Sequence, residues 1–200
     1  MPKSSAIIAR RRVAAGNAER GPDALEPGKR GKGPRPSCVT LRFLAQPQDV
    51  NFGGKVHGGS VMRWIDQAGF ACASGWSGGY CVTVYVGGIR FMKPIRIGQL
   101  VEVEARVILT GRTSMHLAVD VAAIDMASGH RAETSHCVIV FVAVDAHGEP
   151  RAVPTWVPRT RLERAWATYA ERLAAVRQAV EGELQASKPK TSAGKELVTA

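Results

Sequence analysis

The sequence has no long hydrophobic run, which argues against a chain that crosses a bilayer by helices. Its longest uninterrupted apolar stretch, Cys137 to Val144, has eight residues, and a spanning helix needs about 18 or more. The opening segment MPKSSAIIARRR has too short an apolar stretch, on the wrong side of its charges, for a secretory signal. We therefore expect a cytoplasmic protein. An arginine-rich organelle presequence is the alternative, although acidic residues soon interrupt it.

Several chemical signatures are also missing. The four cysteines show no CxxC pair and no metal-ligand spacing. Each lies in an apolar segment, so we expect four buried free thiols in a reducing compartment; they are Cys38, Cys72, Cys81 and Cys137. Neither a phosphate-binding Walker loop, nor a dinucleotide fingerprint, nor a Gly-x-Ser-x-Gly nucleophile elbow occurs. The sequence therefore gives no sign of a metal or dinucleotide site.

The chain has little excess charge in its middle, although its formal net charge is +10. Residues 1–37 contribute +6, residues 158–200 contribute +3, and the 120 residues between contribute only +1. Basic arms bind phosphates non-specifically, so weak attraction to nucleic acid or anionic lipid is one role for the ends. Composition divides the chain into a disordered basic arm (1–36), a folded domain (37–157), a helix (158–186) and a disordered tail (187–200).

A glycine-rich loop followed by helical spacing is the most distinctive stretch of the chain. Four glycines fall within residues 53–59, where they let the backbone approach a neighbour closely. From about residue 59, small and apolar residues recur at three- and four-residue intervals, which predicts a helix ending at Gly75 or at the glycine pair 78–79. The apolar face is formed by Met62, Ile65, Gly69 and Ala73. Asp66 falls on or beside this apolar face, where an ordinary surface helix would not place a carboxylate.

The remaining segments predict mostly strands. Residues 38–45 and 80–92 are β-branched and aromatic, with a bulge or close approach expected at the glycine pair 87–88. Residues 100–109 and 115–125 alternate, and residues 132–144 end in a continuously apolar run. The predicted inward positions are Val101, Val103, Ala105, Val107, Leu109, Met115, Leu117, Val119 and Val121. The order β, α, β, β, β, β indicates an α+β fold in which an antiparallel sheet covers the first helix.

A second amphipathic helix is predicted near the carboxyl end. Apolar residues between 159 and 184 recur at spacings of three and four. We expect this helix to pack on the sheet or on a partner subunit, since a free coiled coil would need more heptads.

An ordered set of residues across this domain resembles a known family. The set comprises Asn51, the turn His57-Gly58-Gly59, Met62, Asp66, Val82-Thr83-Val84, Phe91-Met92-Lys93-Pro94 and the turn Gly111 to Ser114. Over residues 38–155 it is similar to the hotdog-fold acyl-CoA thioesterases, within them to the broad-specificity cytosolic acyl-CoA hydrolases. The resemblance implies hydrolysis of acyl-CoA to a free acid and CoA, without metal or cofactor.

The resemblance also implies roles for individual residues. Asp66 would act as general base or nucleophile, and Asn51 would polarise the thioester or position water. Free N–H groups at the helix start, on Gly58 and Gly59, would form an oxyanion hole. One of Thr83 and Ser114 would face the reacting water and the other the CoA arm. His57 is expected to shape the loop more than to act as a base. The plainer alternatives are a solvated Asp66, and an Asn51 that only makes an Asx turn.

The phosphates of CoA require cations along their path. Lys93, Arg96 and Arg112 are the candidates, on turns that frame the groove. In the family Asn51 and Asp66 come from opposite subunits, so the resemblance implies a homodimer with sites at the interface, and a trimer of dimers in many relatives. Two alternatives stay open: a hotdog acyl-CoA hydratase or dehydratase, and a non-catalytic acyl-CoA-binding module. The near-neutral middle of the chain argues against nucleic-acid binding.

Overall fold

A computed structural model describes residues 35–187 of the 200-residue chain. The predicted disordered arm and tail lie almost entirely outside the described residues. The elements, in chain order, are β1 (Cys38–Leu44), a short 3-10 helix (Pro47–Asp49), α1 (Gly58–Ser77), β2 (Cys81–Phe91), β3 (Leu100–Thr110), β4 (Ser114–Ile124), β5 (Arg131–Ala143) and α2 (Arg161–Ser187).

The five strands form one sheet in the order β1-β3-β4-β5-β2, and every neighbouring pair is antiparallel. Because β2 follows α1 and then pairs with β5, the sheet curves around the helix, and α1 contacts all five strands. The predicted α+β fold, with an antiparallel sheet covering a long helix, is confirmed. Strands β1 and β2 form the two edges of the sheet.

Helix α1 packs tightly on the sheet because one of its faces is made of small and apolar residues. Gly69 is buried, and a Cβ at this position would lie 2.7 Å from Cε2 of Phe141. Trp64 is buried and stacks on Phe43, with ring centroids 5.5 Å apart. Met62, predicted on the apolar face, instead lies on the exposed side together with Asp66. The packed face is thus centred on Ile65 and Gly69, and it leaves the Asp66 side accessible.

Two arginines hold the carboxyl end of α1. The helix ends at Gly78, in the left-handed conformation (φ 77°), whose N–H donates to the carbonyl of Ser74. The second of the two predicted helix ends is therefore the observed one. Arg35 donates to the carbonyl of Trp76 at 2.6 Å, and Arg151 donates to that of Ser77 at 3.3 Å. These guanidinium groups meet the negative end of the helix dipole.

Two predictions about residues of the strands were wrong. Leu109 does not continue the inward row of Val101 to Val107, because a register shift between β3 and β4 after Val107 turns it toward the opposite face. The predicted ends of all five strands lie within one residue of the observed ones. Cys38 is exposed, whereas the other three cysteines are buried, and all four are free. The bulge predicted at the glycine pair 87–88 is confirmed by the irregular pairing of β2 with β5 there.

Helix α2 covers the outer face of the sheet, opposite α1. Its buried residue Ala170 packs on Ile108, Ala118 and Val138, with the partly buried Trp166 and Leu173 beside them. Two cation–π contacts add to this packing, of Arg106 with Trp166 and of Arg177 with Tyr85. The predicted packing of this helix on the sheet is therefore confirmed for its first half, whereas Val176, Val180 and Leu184 stay exposed. Between residues 35 and 187, no helix is long and apolar enough to cross a membrane.

Candidate active site

Two glycines begin α1, and within residues 35–187 only one of their N–H groups is hydrogen-bonded. His57 is the N-cap residue, and its Nδ1 accepts the N–H of Gly59 at 3.0 Å. The N–H of Gly58 has no acceptor within the described part of the chain. Of the two predicted oxyanion donors, Gly58 is available and Gly59 is engaged by the capping imidazole.

Asn51 lies in a tight loop just before the helix. An isolated antiparallel bridge joins Val50 and Val56, and the N–H of Asn51 donates to the carbonyl of Lys55 at 2.8 Å. The side-chain oxygen of Asn51 accepts the N–H groups of Gly53 (2.9 Å) and Lys55 (3.4 Å). The Asx turn considered from the sequence is thus present. The amide NH₂ has no acceptor among residues 35–187, so it remains a free donor.

Asp66 and Thr83 form a direct pair. The Thr83 hydroxyl, on β2, donates to Oδ1 of Asp66 at 2.6 Å, and both side chains are exposed in the single chain. Because α1 packs on the sheet through its other face, the pair lies on the accessible side of the helix. Asp66 is eight residues after Gly58, roughly 12 Å along the axis at 1.5 Å per residue.

A cavity of about 360 Å³ opens beside the start of α1. Asn51, Gly58, Phe91, Lys93 and Ser135 are among its lining residues. The Phe91 ring covers Gly58, and a Cβ on that glycine would lie 3.5 Å from the ring. The cavity therefore combines an apolar wall with an amide, a free backbone N–H and an ammonium group. Asp66 and Thr83 do not line it.

The four predicted CoA contacts fall into two groups at opposite ends of the sheet. Lys93 lines the cavity, and Arg96 lies beside it in an isolated bridge with Lys55. Ser114 and Arg112 lie at the other end, because Ser114 pairs with Val142, which pairs with Val82 at the start of β2. The eleven-residue strand β2 separates the two groups, over a length of roughly 30 Å. One chain does not bring them together.

The surface around Asp66 is apolar. Met62, Phe70, Tyr80 and Val84 are each between 39% and 58% exposed. Phe70 and Tyr80 contact each other edge to face, with ring centroids 5.8 Å apart. This surface adjoins the unpaired edge of β2. Apolar side chains beside an open strand edge are typical of an interface between subunits.

Residues that could serve other chemistries are placed elsewhere. Burial raises the pKa of Cys72 and of Cys137 to about 12, so neither thiol is an effective nucleophile at neutral pH. His136 lies on the outer face of the sheet, where its Nδ1 contacts Asp120 at 2.6 Å, away from Cys137. In the part of the chain that the structure describes, no group of three His, Cys, Asp or Glu side chains is arranged to hold a metal ion.

Two buried polar residues of this region were not singled out from the sequence. Asp49 is 5% exposed and pairs with Arg63 of α1, with 3.0 Å between Oδ1 and Nη2. Ser135, on β5, is 2% exposed and lines the cavity. Neither stands out in the sequence, because Asp49 follows Gln48 and Ser135 lies between Thr134 and His136.

The chain is similar to known proteins in sequence and in fold. The model of the family described as thioesterase superfamily matches residues 53–129. The acyl-CoA thioester hydrolase YciA of Escherichia coli is 36% identical over 119 residues, which are 58% of this chain and 90% of that protein. A solved hexameric acyl-CoA thioesterase is 29% identical with a TM-score of 0.70, and covers 76% of this chain and 95% of its own.

A third relative was solved with substitutions at individual residues. The acyl-CoA hydrolase of Staphylococcus aureus, solved in complex with butyryl coenzyme A and coenzyme A, is 26% identical with a TM-score of 0.69. The match covers 76% of this chain and 92% of that one. That enzyme was also solved with alanine in place of an asparagine, an aspartate or a threonine, which lie 15 and then 17 residues apart.

The chain belongs to the thioesterase superfamily, because a relative more than 30% identical is matched over nine tenths of its length. The curved sheet around α1 is the hotdog fold of its solved neighbours. The resemblance carried by the sequence is therefore confirmed at the level of the family and of the fold.

Proposed function

We propose that the protein hydrolyses acyl-CoA thioesters to a carboxylic acid and CoA. One observation carries this proposal: the hydrogen bond between Thr83 and Asp66 on the open side of α1. Asn51, Asp66 and Thr83 are spaced by 15 and 17 residues, as are the three residues substituted in the S. aureus acyl-CoA hydrolase. The thioester hydrolase names of the relatives support the same reaction.

The proposed chemistry uses the groups at the start and middle of α1. Thr83 holds the Asp66 carboxylate in one orientation by its hydrogen bond. As general base, Asp66 takes a proton from water while the water oxygen bonds to the thioester carbonyl carbon. As nucleophile, it bonds to that carbon itself and water then hydrolyses the anhydride. In either case the C–S bond breaks, and the CoA sulfur leaves and takes up a proton.

The negative charge that develops on the carbonyl oxygen needs donors. The free N–H of Gly58 and the positive end of the helix dipole meet this need. The NH₂ group of Asn51 is a second free donor in the same cavity. Gly59 contributes indirectly, because its bond to His57 fixes the first turn of the helix. Losing one such donor in other enzymes costs about 10² to 10³ in rate.

We propose that the complete site needs two chains. Asn51 and Gly58 line the cavity, whereas Asp66 lies roughly 12 Å farther along α1. A symmetric pair formed through the β2 edges would cover the apolar surface around Asp66 and bring each cavity to the Asp66 of the partner subunit. A homodimer then carries two equivalent sites, and the hexameric neighbour supports a trimer of such dimers.

The same arrangement supplies the CoA site. Lys93 and Arg96 at one end of the sheet and Arg112 and Ser114 at the other would meet across the interface, and so surround one CoA from two subunits. No metal or cofactor has a role in this mechanism. Within the chain, residues 37–157 form the proposed thioesterase domain, and the added helix predicted over residues 158–186 is α2, Arg161–Ser187.

The experiment that tests this proposal measures thiol release from a series of acyl-CoAs of increasing chain length. We expect turnover by the wild-type protein, with one acid formed per CoA. We expect Asp66→Asn to lose about 10² or more in kcat, because the carboxylate's basicity is removed. Asp125→Asn is the matched control, since Asp125 is a half-buried carboxylate in the turn after β4 and does not line the cavity. No release at any chain length would refute the activity, and an active Asp66→Asn variant would refute the mechanism.

The hydratase or dehydratase alternative is not favoured. It would need His57 and Asp66 to act together on one substrate, but the Nδ1 of His57 is occupied as the cap of α1. A hydrolysis assay and an enoyl-CoA hydration assay on the same preparation separate the two reactions.

A further inference from the structure

Asp49 is a buried carboxylate for which the proposed chemistry has no direct use. It lies at the end of the short 3-10 helix and is 5% exposed. Its Oδ1 accepts from the guanidinium of Arg63 at 3.0 Å, and its Oδ2 accepts the N–H of Gln46 at 3.1 Å. Its backbone carbonyl accepts the N–H of His57 at 2.7 Å. One residue thus contacts the preceding turn, helix α1 and the helix cap.

These contacts lie at the base of the loop that carries Asn51. The loop leaves through Val50 and returns through Val56, which bridge each other, and it ends at the cap His57. Asp49 and His57 close this loop through their backbone hydrogen bond. Arg63 lies on α1, three residues before Asp66 and five after Gly58. The Asp49–Arg63 pair therefore joins the Asn51 loop to the helix that carries Gly58 and Asp66.

We infer that Asp49 and Arg63 form a positioning pair that sets the Asn51 amide relative to the start of α1. This inference rests on the proposed function. A buried carboxylate is costly unless it is paired and hydrogen-bonded, so Asp49, whose side chain is 7% exposed, is held to the largely exposed Arg63. The pair restrains the loop, because Asp49 is only two residues from Asn51. Without the pair, the loop keeps its internal bonds and the Asp49–His57 backbone bond but loses its side-chain contact with α1.

The size of the expected effect follows from the geometry that catalysis needs. Displacing a reacting group by about 1 Å costs up to about 10² in rate, and the loss of partners that orient a site costs about 10 to 100-fold. Asp49 and Arg63 do not line the cavity, so substrate binding depends on them less than turnover does. We therefore expect kcat to fall while KM changes little.

The test compares Asp49→Asn, Arg63→Gln, the double variant and Arg63→Lys with wild type. Arg42→Gln is the matched control, because it breaks an ion pair of similar length, 2.8 Å to Glu102, at the far edge of the sheet. Kinetics of thiol release are measured well below the melting temperature of each variant. Amide hydrogen exchange of residues 46–60 is measured in parallel by mass spectrometry.

We expect about 10 to 100-fold lower kcat in each single variant, and no further loss in the double variant, since the two residues act as one unit. Arg63→Lys should retain most of the activity, and Arg42→Gln should match wild type. Exchange in residues 46–60 should be faster in the single variants and unchanged in the control.

Unchanged exchange in residues 46–60 would overturn the inference, whatever the activity. So would single variants whose kcat equals that of the control. Failure of the proposed function is a separate result, namely a wild-type protein that releases no CoA, and the exchange measurement still decides the positioning role in that case.

Discussion

Replacing Thr83 with valine tests the contact that holds Asp66. Valine has nearly the shape of threonine and suits a strand, so Thr83→Val removes the hydroxyl donor and little else. A hydrogen bond to a charged group contributes about 1.5–3 kcal/mol. Both side chains are exposed in the single chain, so we take the lower part of this range, about 1.5–2 kcal/mol. At about 1.4 kcal/mol per factor of ten, kcat should fall about 10 to 30-fold.

The assay is thiol release at saturating acyl-CoA, with two controls. Thr83→Ser keeps the hydroxyl and should retain kcat within about threefold of wild type. Thr40→Val changes an exposed threonine on β1, the opposite edge strand, and should have no effect on turnover. The reasoning is refuted if Thr83→Val is as active as Thr40→Val. It is also refuted if the serine variant loses as much activity as the valine variant.

Two further predictions concern stability. Gly69→Ala should lower the melting temperature, because the added Cβ would lie 2.7 Å from the buried Phe141 ring and overpacking costs about 1–3 kcal/mol. The control is Gly182→Ala in the exposed part of α2, where no atom lies within 4 Å, and it should leave the melting temperature unchanged or raise it. Equal effects of the two substitutions would contradict the overpacking argument. Burial raises the pKa of Cys72 and Cys137 from 9.0 to about 12, so the stability they contribute is complete below pH 9 and is lost as the pH rises toward 12. Melting temperatures measured from pH 8 to 11 should decline less steeply in a variant with alanine at both cysteines, and an identical slope would refute the assignment.

The periodic parts of the fold were predictable from the sequence. Alternation along β3 and β4 placed Val103 and Val119 in the core, because a strand side chain can face only one side of a sheet. The stretch from Ser60 onward predicted α1, since glycine and alanine at helical spacing allow close packing on strands. The prediction that Leu109 faces inward was wrong, because a β-bulge reverses the alternation and nothing in the local pattern marks where a sheet must bend.

The candidate site was predictable only in part. Asp66 was noticeable because a carboxylate beside an apolar helix face is unusual, but its bond to Thr83 joins residues 17 apart on different elements. The selection of Thr83 as a site residue depended on family resemblance. Asp49 and Arg63 were not predicted as a pair, because they also lie on different elements and the burial of Asp49 depends on how the loop folds back on α1. Contacts between elements are properties of the tertiary structure, and local patterns do not encode them.

In the proposed arrangement, each active site takes Asn51 from one chain and Asp66 from another. Mixing the inactive variants Asn51→Ala and Asp66→Ala, by unfolding and refolding equal amounts together, tests it most directly. Half of the dimers then contain one chain of each kind, and one of their two sites has both native residues, so thiol release should recover to about a quarter of wild type. A mixture no more active than the separate variants would show that both residues of a site come from one chain, and would contradict the account.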